Sequence, residues 1–273
     1  MKMINEANGR WRKWIWFGAA LLCVVMATAR AEHARSAPLD EAAERYRSHL
    51  IASIDRASAG AQKLRSDLAA GDIESAKKAW IDARVGWERS EVFTSGFVPD
   101  LDRNIDAWPD AVTGFHAIEA KLFGAKRTDI ETEVTALIRD LDDLRATVRR
   151  IDLPPQRLLN GVARLAYEVG ESKVDGGESR VSGTSLDDMR NNVEGIDLAY
   201  RVVFASALEA SEPGLAAIAR GEIDTLLALV GAADLKKVDS DKLRAVSEEL
   251  VVTLQKAAAK IGLRAPNLED TGQ

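Results

Sequence analysis

The chain of 273 residues has one cysteine, Cys23, and aromatic residues make up only 5% of it. A lone thiol excludes an internal disulfide and any cysteine-built metal site, so a metal here must be held by carboxylate oxygen and imidazole nitrogen. No stretch keeps the two-residue apolar period of a half-buried strand, which argues against a sheet. Long apolar runs are equally scarce: one extends from Trp14 to Ala27, with no second of comparable length to support a multi-span membrane protein. Nor is there an excess of positive charge. The 37 Lys and Arg are outnumbered by 43 Asp and Glu, a balance that speaks against a nucleic-acid partner and for cations.

What is present begins with a leader. Lys2, Arg10, Arg12 and Lys13 precede the apolar run, and Ala29-Arg30-Ala31 follows it as a small-x-small cleavage site, so residues 1–31 read as an export signal. Leu21-Leu22 ahead of Cys23 are not the small residues of a lipoprotein signal, so the thiol is expected to leave with the leader. Cleavage would leave 242 residues, 32 basic and 42 acidic, in the periplasm with no stable membrane insertion. The alternative is an uncleaved amino-terminal anchor. A single helical domain is expected over 32–265, with a flexible polar tail at 266–273.

Apolar residues at Leu39, Ala43, Tyr46, Leu50, Ile54, Ala57, Ala61, Leu64 and Leu68 step by three or four, the mark of a long amphipathic helix. Gly71-Asp72 would end it and cap a second helix whose Ala76, Trp80, Ala83 and Trp87 face inward. Residues 96–102 read as a loop. Thr128 to Glu131 reads as a capping box opening a helix that continues to Ile151, and Pro154-Pro155 start the next. Residues 173–184, rich in Gly and Ser, form the longest irregular stretch. Thr184 or Ser185 then caps a helix that Pro213 ends, and two further helices are expected over 222–230 and 240–261. The fold class is therefore all-α, a helical bundle, and a loose echo between 40–122 and 130–208 suggests two pseudo-repeated four-helix bundles.

Chemistry gathers in three places. His116 and Glu119 lie three apart on the helix predicted after Pro109, so an imidazole and a carboxylate share one face and can grip one cation. Taken alone, this spacing is weak evidence. Glu88 and Glu91 adjoin the face buried by Trp80 and Trp87, where a carboxylate needs a proton, a basic partner or a metal. Arg84 or Arg89 could supply a plain salt bridge instead. Asp100 and Asp102 stand between these two helices.

Together, Trp80-x3-Arg84-x2-Trp87-Glu88-x2-Glu91, then Asp100-Leu101-Asp102-x2-Ile105-Asp106-x2-Pro109, then Gly114-Phe115-His116-x2-Glu119, resemble the imelysin-like peptidase family, and within it the EfeO-type branch of exported iron-uptake proteins. A second patch, Gly177-Glu178-x-Arg180-x-Ser182-x-Thr184 with Asn192-Val193-Glu194-Gly195, is similar to that branch's second signature. The resemblance implies a metal site in a cleft between helices, with His116 and Glu119 on the motif, Glu88 and Asp102 in its acid positions, and Glu91 and Glu178 as additions. It also implies the short form, without a cupredoxin domain. Val181 and Gly183 depart from the family pattern, where an aromatic and a histidine are common.

The function implied is binding of iron, ferrous or ferric, and its delivery to an inner-membrane permease, with an exported haem peroxidase as a further partner and no catalysis by this chain. One imidazole with several carboxylates suits iron, manganese, zinc or cupric copper and not cuprous copper, and zinc and copper usually bind such sites more tightly than iron. Two alternatives stay open. A zinc metallopeptidase would need three ligands, a water and a separate base, and HExxH is absent. A polysaccharide binder would need cations to bridge this acidic chain to an anionic polymer.

Overall fold

The computed structural model describes residues 7–107, 111–177 and 179–269, with side chains from residue 38 onward apart from that of Ser95. The leader's side chains, Pro109, Glu178 and residues 270–273 lie outside the described residues. The described chain is built of helices joined by turns and loops, with no strand, and none of its helices is long and apolar enough to cross a membrane.

Helix α1 runs Ala7–Ala69, and the predicted stripe from Leu39 to Leu64 is buried along it. Gly71, at φ +75°, turns the chain, and Asp72 caps α2 (Ile73–Glu88) by accepting from the Ser75 amide at 3.0 Å. Two short helices follow, α3 (Glu91–Phe97) and α4 (Pro99–Asp106). Residues 96–102 were expected to be loop, and all but Val98 are helix instead. Pro99 fits the first helical position, and Asp100 and Asp102 lie in the first turn, where carboxylates complement the helix dipole. Helix α5 (Gly114–Glu119) leads into a π turn, Ala120–Gly124.

Helix α6 (Glu131–Val148) opens at Ile130 with no side-chain cap, so the capping box predicted at Thr128 does not form. Helix α7 (Pro155–Glu168) starts at its proline pair and ends in a π turn, Val169–Lys173. Helix α8 (Ser185–Ala199) starts after Thr184, whose hydroxyl meets Ser182 rather than capping the helix, and runs through a third π turn, Tyr200–Phe204, into α9 (Ala205–Ser211). Pro213, expected only as a stop, occupies the first turn of α10 (Pro213–Val230), so this helix starts well before residue 222. Helix α11 (Ser240–Ala258), capped by Asp239, completes the chain.

Helices α1, α2 and α6, with α4 and α5, pack as one group, while α7, α8, α10 and α11 pack as another. Contacts of α2 with α8 and of α3 with α7 join the groups over one continuous apolar core. This grouping does not by itself establish the expected pseudo-repeat. Within the first group the backbones of α1 and α2 touch: a Cβ on Gly86 of α2 would lie 2.4 Å from the Ser53 carbonyl oxygen of α1, so only glycine lets these helices approach so closely.

Candidate metal centre

The polar heart of the molecule lies where α2, α3, α4, α5 and α8 converge with the π turn that closes α7. Trp80 and Trp87 face inward from α2, with ring centroids 6.3 and 6.2 Å from that of Phe115, and fix the apolar floor. One helical turn beyond each apolar residue comes a charged one. Arg84, 1% exposed, forms ion pairs with Glu88 on its own helix, with Asp106 at the end of α4, and with Asp188 of α8 at 3.1 Å. Trp87 Nε1 donates to the other Asp106 oxygen at 2.6 Å. A buried guanidinium is tolerable only with such complete pairing.

Glu88, Glu91 and Asp106 each bring a carboxylate oxygen to within 4.8 Å of the others, close enough to share one cation. Lys173 and Asn192 stand against the first two. Lys173 Nζ is 2.8 Å from Glu91 Oε2 and 3.5 Å from Glu88 Oε2, and Asn192 Nδ2 donates to the same two oxygens at 2.7 and 2.8 Å. Glu91 and Asp106 open on a cleft of about 340 Å³ that Asp102, Arg164 and Lys173 also line, while Glu88 is buried behind them.

His116 borders this group. Its Nε2 lies 3.3 Å from Asp106 Oδ1, and its Nδ1 lies 3.0 Å from Glu119 Oε2. The other Glu119 oxygen accepts from the Ser182 amide at 2.8 Å and the Ser182 hydroxyl at 2.6 Å. Burial alone would raise the Glu119 carboxyl, but the bonds from His116 and Ser182 outweigh it and hold the group below its ordinary value. An ionised Glu119 can only accept, so it keeps a proton on Nδ1 and turns Nε2 toward Asp106. An Nε2 lone pair facing a carboxylate is favourable only with a proton or a metal ion between them.

Gly114 explains the first residue of the histidine motif. Its φ is +72°, and a Cβ there would lie 2.1 Å from the Ile105 carbonyl oxygen, so the turn that presents His116 to Asp106 requires glycine.

Titration reflects the crowding. Burial pushes the Glu88 carboxyl well above the carboxylate range, with Glu91 and Asp188 adding to the rise against the pull of Arg84 and Lys173. For Glu91 burial acts in the same sense, but Lys173 and Arg84 bring the group below its usual value. Burial raises the Asp102 carboxyl to about 7, against a hydrogen bond with Thr94 and helped by the charges of Glu91 and Asp106. Carboxylates under such strain are relieved by a cation.

Of the six residues singled out in the sequence, Glu88 and Glu91 come together, Asp102 lines their cleft, and His116 meets them through Asp106. Glu119 lies on the other side of the imidazole with its oxygens engaged by His116 and Ser182, and Glu178 is outside the described residues. The simple salt-bridge alternative holds in part. Arg84 pairs with Glu88, but Arg89 pairs with Glu194 instead, and the partner of Glu91 is Lys173. Asp106, Asp188, Asn192 and Lys173 were not singled out as site residues. Asp188 and Asn192 stand four apart among the inward residues Met189 and Val193, which is the signal that could have found them.

The sequence pattern of the imelysin family (peptidase M75) matches residues 42–111 and 110–261. The iron uptake system component EfeM of Pseudomonas syringae pv. syringae (strain B728a) is 32% identical over 183 residues, 63% of this chain and 64% of that protein. The iron uptake system component EfeO of Escherichia coli (strain K12) is 31% identical over 220 residues, 75% of this chain and 58% of that protein. The alignments thus span less than two thirds of either relative. The crystal structure of a protein from Parabacteroides distasonis ATCC 8503, provisionally named an iron-regulated protein A precursor, superposes with a TM-score of 0.62 at 18% identity, over 84% of this chain and 95% of that one, and shares the fold. A motif-bearing polar heart, a bundle of this shape and a pattern match over most of its length place the chain in the imelysin family.

Proposed function

We propose that this protein is the metal-binding component of an iron-uptake system, acting in the periplasm after its leader is cleaved. It takes iron as cargo among Glu88, Glu91 and Asp106, with His116 Nε2 at the edge of the set, and hands it to an inner-membrane permease, in concert with an exported haem peroxidase. The observation that carries this reading is the approach of three carboxylates to within 4.8 Å beside a buried imidazole. Such a hard, anionic donor set fits ferrous or ferric iron, with manganese, zinc and cupric copper as competitors. The names of EfeM and EfeO, as iron uptake system components, support a carrier over a peptidase.

The residues divide the labour. Glu119 orients the imidazole, as partners behind metal-binding histidines commonly do. Arg84 keeps Glu88, Asp106 and Asp188 at fixed spacing, so the donors are in place before an ion arrives. The test is metal content and thermal stability of the purified protein with iron and with competing ions. Iron should raise the melting temperature of the native chain and do so far less for Glu91→Gln, Asp106→Asn and His116→Ala. Equal iron retention by all four proteins would sink the assignment, as would zinc-dependent peptide cleavage that needs Glu119.

A further inference from the structure

Lys173 is the last residue of the π turn that closes α7. A π turn carries an extra residue, which re-aims the side chains after it, and such turns recur at functional sites. Here the turn delivers an ammonium to Glu91 Oε2 and Glu88 Oε2, oxygens of two of the three carboxylates that gather within 4.8 Å. Asn192 bridges the same two oxygens, so the carboxylates keep their spacing whichever cation lies between them. The two cations of the site are held differently. The Arg84 guanidinium is fixed by three carboxylates and lies 5.4 and 5.8 Å from the Phe115 and Trp80 ring centroids. The Lys173 side chain is 5% exposed, but it borders the cleft of about 340 Å³ and has a flexible four-carbon stem.

We propose, starting from the carrier reading above, that Lys173 is a displaceable counter-ion: its ammonium holds Glu88 and Glu91 in the empty site and swings into the cleft when a metal ion takes their oxygens. Two consequences follow from charge. A monovalent ion gains nothing by replacing an ammonium, whereas a divalent or trivalent ion adds net charge to a group of crowded acids, so Lys173 selects for higher charge. Each bound ion also has the returning ammonium as a built-in competitor, which weakens binding and speeds release.

The experiment compares the native chain with Lys173→Met, which keeps the stem and removes the charge. Binding of manganese(II), and of ferrous iron without oxygen, is followed by calorimetry, and melting is measured with and without metal. Removing a competing internal cation should tighten manganese(II) binding about ten-fold and slow its release, because the binding-competent state no longer has to be freed first. The metal-free variant should melt below the native chain, and the metal-saturated variant should not, whereas a merely structural lysine would lower both. Lys173→Gln, which can still donate to Glu91, should tighten binding likewise, and Lys173→Arg should return it toward the native value. Unchanged or weaker binding in Lys173→Met and Lys173→Gln, with Asp106→Asn still abolishing binding, would overturn the counter-ion proposal alone. Intact binding in Asp106→Asn would overturn the carrier site and this proposal with it.

Discussion

The region around Arg84 and the region around α11 are both buried, and they hold together by opposite means. In α11, Leu243, Leu250, Leu254 and Ala257 pack against α7 and α10 with almost no exposed surface, so stability there scales with apolar area removed from water. Around Arg84, four helices meet through carboxylates, a guanidinium, an ammonium and an imidazole, and each depends on the others to offset its lost hydration. The apolar region draws its stability mainly from burial. The charged region has more acid than base, so its stability depends on protons and cations.

Paired substitutions break this comparison most sharply. Arg84→Met leaves Glu88, Asp106 and Asp188 without their shared cation and should cost about 3–5 kcal/mol in the metal-free protein. Leu254→Ala should cost about 2–5 kcal/mol through a cavity. Denaturant titration with and without iron separates them: added metal should recover part of the Arg84→Met loss by neutralising the same acids, and should recover none specific to Leu254→Ala.

Smaller changes sharpen the contrast. Glu119→Gln removes the charge that orients His116 while keeping its shape, and should lower iron affinity about 10–100-fold with little change in metal-free melting. Competition with a coloured chelator reads this directly. If the affinity is unaltered, Glu119 is not orienting the imidazole for a metal.

The contrast also shows in the pH profile. The Asp102 carboxyl is raised from the ordinary 3.8 to about 7, so between these values the folded chain holds a proton that the unfolded chain has lost. Stability of the metal-free protein should therefore fall as pH rises from about 4 to about 7, and Asp102→Asn should flatten that slope. Iron binding should strengthen over the same interval as the carboxylates near the cleft lose their protons.

Much of the scaffold was legible because it is written in short-range pattern. The stripe from Leu39 to Leu64, the Asp72 cap and the Pro154-Pro155 start all depend on residues within a few positions of one another. Errors arose where a local signal had two outcomes: Pro99 and Pro213 were taken as punctuation, yet each begins a helix. At the site, Glu88 and Glu91 were legible because they continue a buried aromatic face. Asp188, Asn192 and Lys173 were not, since they reach Arg84 or the acids across 82 to 104 positions, and no periodicity reports such a distance. Asp106 is informative only once Gly114 has folded His116 back on it.

The backbone seams at Gly86 and Gly114 bear on how a bound ion could leave. At each, a carbonyl oxygen lies so near the neighbouring main chain that even a methyl group has no room, and there is no slack for the ligand-bearing segments to slide or tilt. On the carrier role proposed above, a bound ion leaves by rotation of side chains and the advance of water along the cleft, with the close-packed backbones at Gly86 and Gly114 held in place.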